Sequence, residues 1–284
     1  MTMTTPQAAT PMTRLNTVFG RTRDLGRAAL VGCLPAGYPT IEDSIAALRT
    51  LSWHVDVLMI GLPYSTPELD GPDVYRASQI ALAAGAAPAT VMEIIREVSA
   101  TTSVPVVLAS RWEPIARIGT EAVAAAAASA GAAGAVLLDV HPAGRGAARW
   151  LTAASQHGLA TTFLANQGQL PDAVANSTSW IYLPVVRPGQ AAGTLDLADL
   201  RLRTRQVRQL TNVPVCAGMG ISSPELAATI ASGVDGVVIE SAFIRALQRG
   251  AGGRVDLGQL DHRASRYAAV LREVPGSLPL AAAS

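Results

Sequence analysis

The chain has 284 residues, 49% of them apolar, and a formal net charge of +1. That length supports one large domain with a sizeable core, and the near-zero charge gives no electrostatic footprint for a nucleic acid or an anionic membrane. There is no lysine, all 22 basic residues being arginine; this excludes a lysine-dependent aldolase and a pyridoxal phosphate enzyme that holds its cofactor as an internal aldimine.

No apolar run approaches the roughly 18–20 residues of a membrane span. Residues 1–11 are polar and threonine-rich, without the apolar core of a secretory signal, and read as a disordered leader. Residues 12–275 are expected to form the domain and 276–284 a flexible tail. The two cysteines, Cys33 and Cys216, cannot make a disulfide framework, so a reduced, cytoplasmic protein is expected. His54, His141, His157 and His262 are scattered and no Cys/His zinc spacing occurs, so neither a metal nor a cofactor is expected.

In chain order, an amphipathic helix is predicted over 12–23. The apolar run 28–34 ends in Pro35-Ala36-Gly37-Tyr38-Pro39, a strand stopped by turn residues. Thr40 caps a helix running to about Trp53, with Ile41, Ile45, Leu48 and Leu51 at helical spacing. The run 55–60 is a second strand. It empties into a loop carrying Tyr64, Ser65, Glu68 and Asp70, and helices follow over 73–84 and 89–98. Further strands are predicted at 104–108, 134–138, 160–164, 180–183, 213–216 and 236–239. They alternate with helices at 120–130, 147–157, 171–175, 195–210, 224–231 and 242–248, and a last helix covers 257–272. Near-continuous apolar strands alternating with helices indicate a parallel sheet covered by helices. Eight such units in about 250 residues fit a (βα)8 TIM barrel. The competing doubly wound sheet lacks a GxGxxG after the first strand. In a barrel the chemistry sits at the C-terminal ends of the strands, which directs attention to the 57–72 stretch.

Four segments together resemble the α subunit of tryptophan synthase: Leu34-Pro-Ala-Gly-Tyr-Pro39, Gly61-Leu-Pro-Tyr-Ser-Thr-Pro-Glu-Leu-Asp-Gly-Pro72, Gly218-Met-Gly-Ile-Ser-Ser-Pro224 and the stretch from Gly236 to Ala242. The resemblance implies cleavage of indole-3-glycerol phosphate to indole and glyceraldehyde 3-phosphate, with indole handed to a β-type subunit. It further implies a glutamate at the end of the second strand for acid/base work, an aspartate in the next loop against the indole nitrogen, and a mobile loop after strand six that supplies a threonine and a glycine. It places a phosphate loop at Gly218, Gly220 and Ser241.

Several of these positions are changed. Met59 stands where the strand-two glutamate is expected, and a thioether transfers no proton; a positioned acid or base contributes about 10²–10⁴-fold. Asp70 is retained. The strand-six loop keeps Gly189 and Gly193 but has alanine for the threonine, and adds Arg187. Glu240 replaces the phosphate-loop glycine. Two like charges at 4 Å in a partly buried site repel by about 4 kcal/mol, so a glutamate there opposes a phosphate unless an arginine offsets it. Cys33 takes a position expected to hold an aromatic ring facing indole.

Each of these residues has a plainer reading. Met59 and Cys33 serve as core packing, Asp70 as a helix cap, Glu240 as a helix-dipole partner, Arg187 as a solvated loop charge, and Arg111 as the ion-pair partner of Glu113. The functional readings make Asp70 and Glu240 the acid/base pair. Met59, Cys33, Tyr64 and Tyr182 become pocket walls, and Arg111 a binder of an anionic group. The leading expectation is a diverged member acting on a small aromatic or indole-type substrate in specialised metabolism. The alternatives are a non-catalytic α-like subunit regulating a β-type partner, and the standard lyase.

Overall fold

The computed structural model describes residues 10–64, 71–166, 168–186, 195–247 and 255–273. Helix α1, Pro11–Asp24, opens where the Thr10 hydroxyl accepts from the Thr13 N–H, with Pro11 in the first turn, where its missing N–H costs nothing. Eight strands follow: β1 Ala29–Pro35, β2 Val57–Gly61, β3 Val106–Ser110, β4 Gly134–Leu137, β5 Ala160–Phe163, β6 Ile181–Pro184, β7 Val215–Gly218 and β8 Gly236–Ile239. Between and after them run α2 Ile41–Ser52, α3 Pro72–Ala83, α4 Pro88–Thr101, α5 Trp112–Ile118, α6 Thr120–Ser129, α7 Arg145–Gln156, α8 Leu170–Asn176, α9 Leu197–Leu210, α10 Pro224–Ala231, α11 Ser241–Ala246 and α12 Leu257–Glu273. The leader as far as residue 9 and the tail at 276–284 lie outside the described residues.

All strand pairs are parallel, in the order β5-β4-β3-β2-β1-β8-β7-β6. The seam between β5 and β6 is closed by a parallel bridge, Leu164 to Tyr182, and by the Ala165 N–H donating to the Tyr182 carbonyl at 2.8 Å. The sheet is therefore the expected (βα)8 barrel, nearly closed. Its strands separate two cores. One, between strands and helices, includes Leu30, Leu58 and Leu108. The other fills the barrel with the alternate residues, among them Val31, Cys33, Val57, Met59 and Val107.

α1 plugs the N-terminal end of the barrel. Its Leu15, Val18 and Phe19 pack into the interior cluster, and the Phe19 ring lies 5.6 Å from that of Trp180. A Cβ at Gly236 would come within 2.7 Å of Cys216 Sγ and 3.4 Å of Phe19 Cε1, so a glycine is what lets the plug seat. Burial, with Asp235 as a second cause, pushes the Cys216 thiol well up from its ordinary range. It stays protonated in this floor and is no nucleophile.

The outer layer differs from expectation in one element. Between the strand predicted at 104–108 and the helix predicted at 120–130, Trp112–Ile118 form α5. Pro114 falls in its first turn, where proline is tolerated, and the cap comes from afar: Asp139 Oδ1 accepts from the Trp112 N–H at 2.6 Å. Among the described residues no single helix is long and apolar enough to cross a membrane.

α12 closes the helical ring, with Tyr267 edge-on to Phe243 of α11 at 5.5 Å. Burial pushes the Tyr267 phenol from 10 up to about 12. An unfolded chain then releases this proton near pH 10 while the folded chain keeps it to about pH 12, so the unfolded state binds fewer protons in that window and stability falls as pH rises through it. Equilibrium urea unfolding at pH 9 and pH 11.5 is expected to lose less stability between the two pH values in Tyr267→Phe than in the wild-type chain; an unchanged loss would put the alkaline sensitivity elsewhere.

Candidate active site

The C-terminal ends of β1, β2, β6 and β8 bring together the residues singled out above. Cys33 pairs in register with Met59 across β1 and β2. On its other side, β1 and β8 pair as far as Gly32 and Ile239, so the next residue, Glu240, comes opposite Cys33. The Cys33 thiol donates to Glu240 Oε1 at 3.3 Å. Cys33, Met59 and Tyr182 are all nearly fully buried, while Glu240 is half-buried at the mouth.

These four side chains line a cleft at the mouth of the barrel. Tyr64 and Leu62 add walls from the β2 loop, Val74 and Ser78 from α3, and Leu138 and Met219 from the ends of β4 and β7. The surface is mostly apolar and rich in sulfur, with two thioethers and one thiol. Thioethers are polarizable and pack favourably against the edges of aromatic rings. A second groove runs between α8 and α9, where Arg203 is tied to Asp199 and to the Pro184 carbonyl at the end of β6.

Glu240 occupies the N-cap position of α11, yet its side chain makes no capping hydrogen bond. The carboxylate lies on the cleft wall and accepts from Cys33. Ser241 opens α11. Gly218 is required by packing: a Cβ there would lie 2.6 Å from the Tyr182 hydroxyl and 2.7 Å from Val238 Cβ. Gly220 has φ +108° and abuts Val186, so its position needs glycine both for conformation and for space. Between them Met219 has φ +63°, the only positive φ among described non-glycine residues. That uncommon backbone state places its thioether on the cleft wall. Sequence reasoning passed over Met219; its signal was a bulky residue between two glycines.

Arg111 does not pair with Glu113. Its Nη1 lies 3.5 Å from Asp139 Oδ2, and its guanidinium stacks 4.5 Å over the Tyr64 ring centroid. Glu113 instead faces Arg117 at 3.8 Å. The Arg111–Glu113 pair does not form because α5 turns Glu113 outward, and Asp139 reaches in from the β4 loop. Arg111 backs Tyr64 and is not among the residues lining the cleft. Asp139 is the residue the sequence did not single out here. Asp70 lies outside the described residues, as do Arg187, Gly189 and Gly193; the cap position of α3 is Gly71.

Fold and site together define a (βα)8 barrel with a cleft at its strand ends. The model of the tryptophan synthase alpha chain family matches residues 19–271. The alpha chain of Salinispora arenicola is 39% identical over 241 residues, covering 83% of this chain and 89% of that one. The Streptomyces coelicolor alpha chain is 37% identical over 239 residues, covering 81% and 86%. Among solved structures, a Mycobacterium tuberculosis tryptophan synthase chain superposes with a TM-score of 0.82 at 32% identity, over 91% of this chain and 98% of that one. The alpha subunit of Legionella pneumophila gives 0.82 at 25% identity, over 92% and 99%. The chain belongs to the tryptophan synthase alpha chain family.

Proposed function

We propose that this family member binds a small aromatic, indole-type ligand in the mouth cleft, in a role within specialised metabolism, and is impaired as an indole-3-glycerol phosphate lyase. One observation carries the reading: the side chain at the end of β2 that faces the cleft is the thioether of Met59, while the carboxylate on the cleft wall is Glu240 of β8. The acid/base group has been moved two strands around the barrel. Glu240, with Asp70 if that residue reaches the ligand, does the proton transfer, and Met59, Met219, Cys33 and Tyr182 hold the ring. A proton donor on Met59 is chemically excluded, and without a positioned acid the lyase step loses about 10²–10⁴-fold.

The full-length chain is to be incubated with indole-3-glycerol phosphate at micromolar protein. The expected outcome is no indole above the uncatalysed rate. Indole release that falls when Glu240 is changed to Gln would keep the relocated acid but reject the impairment; release indifferent to Glu240→Gln would reject both.

A second reading is favoured by the match over nearly the whole length of the alpha chains. It makes this chain the partner of a tryptophan synthase β-type subunit, either as the ordinary lyase or as a regulator without chemistry of its own. Co-purification with a β chain that gains activity on mixing supports it, and two chains that elute separately with unchanged activity refute it.

A further inference from the structure

The cleft wall that follows β2 is held from outside the cleft. β2 and β3 run in register to Gly61 and Ala109, and a further bond joins the Leu62 N–H to the Ala109 carbonyl at 2.8 Å. Pro63 then has no N–H to donate. Tyr64 comes next and lines the cleft. β3 ends at Ser110, so the following residue, Arg111, emerges beside this segment. Its guanidinium lies 4.5 Å from the Tyr64 ring centroid, within the roughly 6 Å reach of a cation–π contact. Arg111 itself is not among the lining residues and is only 5% exposed. A guanidinium that deep needs an anion, and Asp139 of the β4 loop stands 3.5 Å from its Nη1. The other Asp139 oxygen accepts from the Trp112 N–H at 2.6 Å, which fixes the carboxylate against the start of α5.

We propose that Arg111 is a positioning residue of the mouth cleft: anchored by Asp139, its planar guanidinium holds the Tyr64 ring in place, and an aromatic ligand gains affinity from Arg111 through that ring. The proposal rests on the aromatic-binding role put forward above. A phenol on a segment leaving the sheet loses rotamer freedom when it becomes a fixed wall. The stack removes that freedom before the ligand arrives, so binding no longer has to supply it. A guanidinium suits this task because it is flat and weakly hydrated, whereas an ammonium is a strongly hydrated point charge.

The test asks whether the effect of Arg111 depends on the Tyr64 ring. Indole, which carries no charge for Arg111 to attract, is titrated by calorimetry into the full-length wild-type chain, Arg111→Gln, Tyr64→Leu and the double variant, each checked by thermal melting. Arg111→Gln is expected to weaken indole at least about fivefold where Tyr64 is present, and less than about twofold in the Tyr64→Leu background. Should Arg111→Gln fail to fold, Arg111→Lys takes its place, since it keeps a cation for Asp139 and gives up the plane. Should Tyr64→Leu bind too weakly to titrate, the background is Tyr64→Phe, whose ring keeps the stack, and there the loss of about fivefold must persist. An equal loss with and without the ring, a loss that vanishes in Tyr64→Phe, or no loss at all overturns the proposal while the aromatic reading stands. Failure of indole to bind the wild-type chain at millimolar concentration overturns the aromatic reading, and the proposal with it.

Discussion

The double variant Met59→Glu/Glu240→Gly is expected to release indole from indole-3-glycerol phosphate at least about 10²-fold faster than the wild-type chain, the lower end of what a positioned acid or base contributes. Met59 is only 2% exposed and is flanked in register by Cys33 on β1 and Val107 on β3. A carboxylate introduced there is desolvated on both sides, which raises its pKa toward the neutral range useful for general acid catalysis. Met59→Glu alone is expected to gain much less. The new carboxylate and Glu240 would flank the same Cys33, and two like charges in one cleft end by sharing a proton. Glu240→Gly removes that competitor and, on the family resemblance, restores the phosphate side of the site. Indole is measured by chromatography, with thermal melts confirming that each variant is folded. A folded double variant that releases none would mean that the cleft walls, and not the substituted acid, set the chemistry.

Much of this architecture was legible in the residues, for a physical reason. Strands buried on both faces are continuous apolar runs, and each is followed by a helix with its own apolar stripe. The boundaries moved where proline intervenes. Strands three and seven were expected from 104 and 213, but begin at Val106 and Val215, because Pro105 and Pro214 donate nothing to the ladder and serve only as acceptors, to the Leu58 and Ile181 N–H groups. Their C-terminal ends run on through Ser110 and Gly218, residues that resemble loop in isolation. The family segments located the cleft. Its wiring was not legible, because it joins residues far apart in sequence. Cys33 and Glu240 are 207 residues apart and meet only because β8 returns beside β1. Asp139 caps α5, 27 residues upstream, and pairs with Arg111 in place of Glu113.

At the opposite end of the barrel, Asp56→Ala is expected to cost about 3–5 kcal/mol, the usual loss when one partner of a buried ion pair is removed. Asp56, just before β2, is 7% exposed. It takes a bidentate pair from Arg27, Nη1 at 2.7 Å and Nη2 at 2.8 Å, and the Leu30 N–H at 2.9 Å. This one carboxylate ties the segment after α1 to β1 and β2, and so holds the plug formed by Leu15, Val18 and Phe19. The bond to Asp56 is the main reason the Arg27 guanidinium is pushed above its ordinary range. Truncation leaves that cation half-buried without its anion and leaves the Leu30 amide without an acceptor. Arg27→Ala is expected to cost less, since Asp56 would keep the Leu30 N–H and has Arg21 at 3.8 Å. Urea midpoints should rank wild type, Arg27→Ala, then Asp56→Ala, with a melting temperature lowered by on the order of 10 °C in the last. A shift under about 1 kcal/mol for Asp56→Ala would mean that the α1 plug is held by its apolar face alone. Ligand binding at the mouth, measured below the melting transition, should be unchanged in both, because the staple and the cleft lie at opposite ends of the same strands.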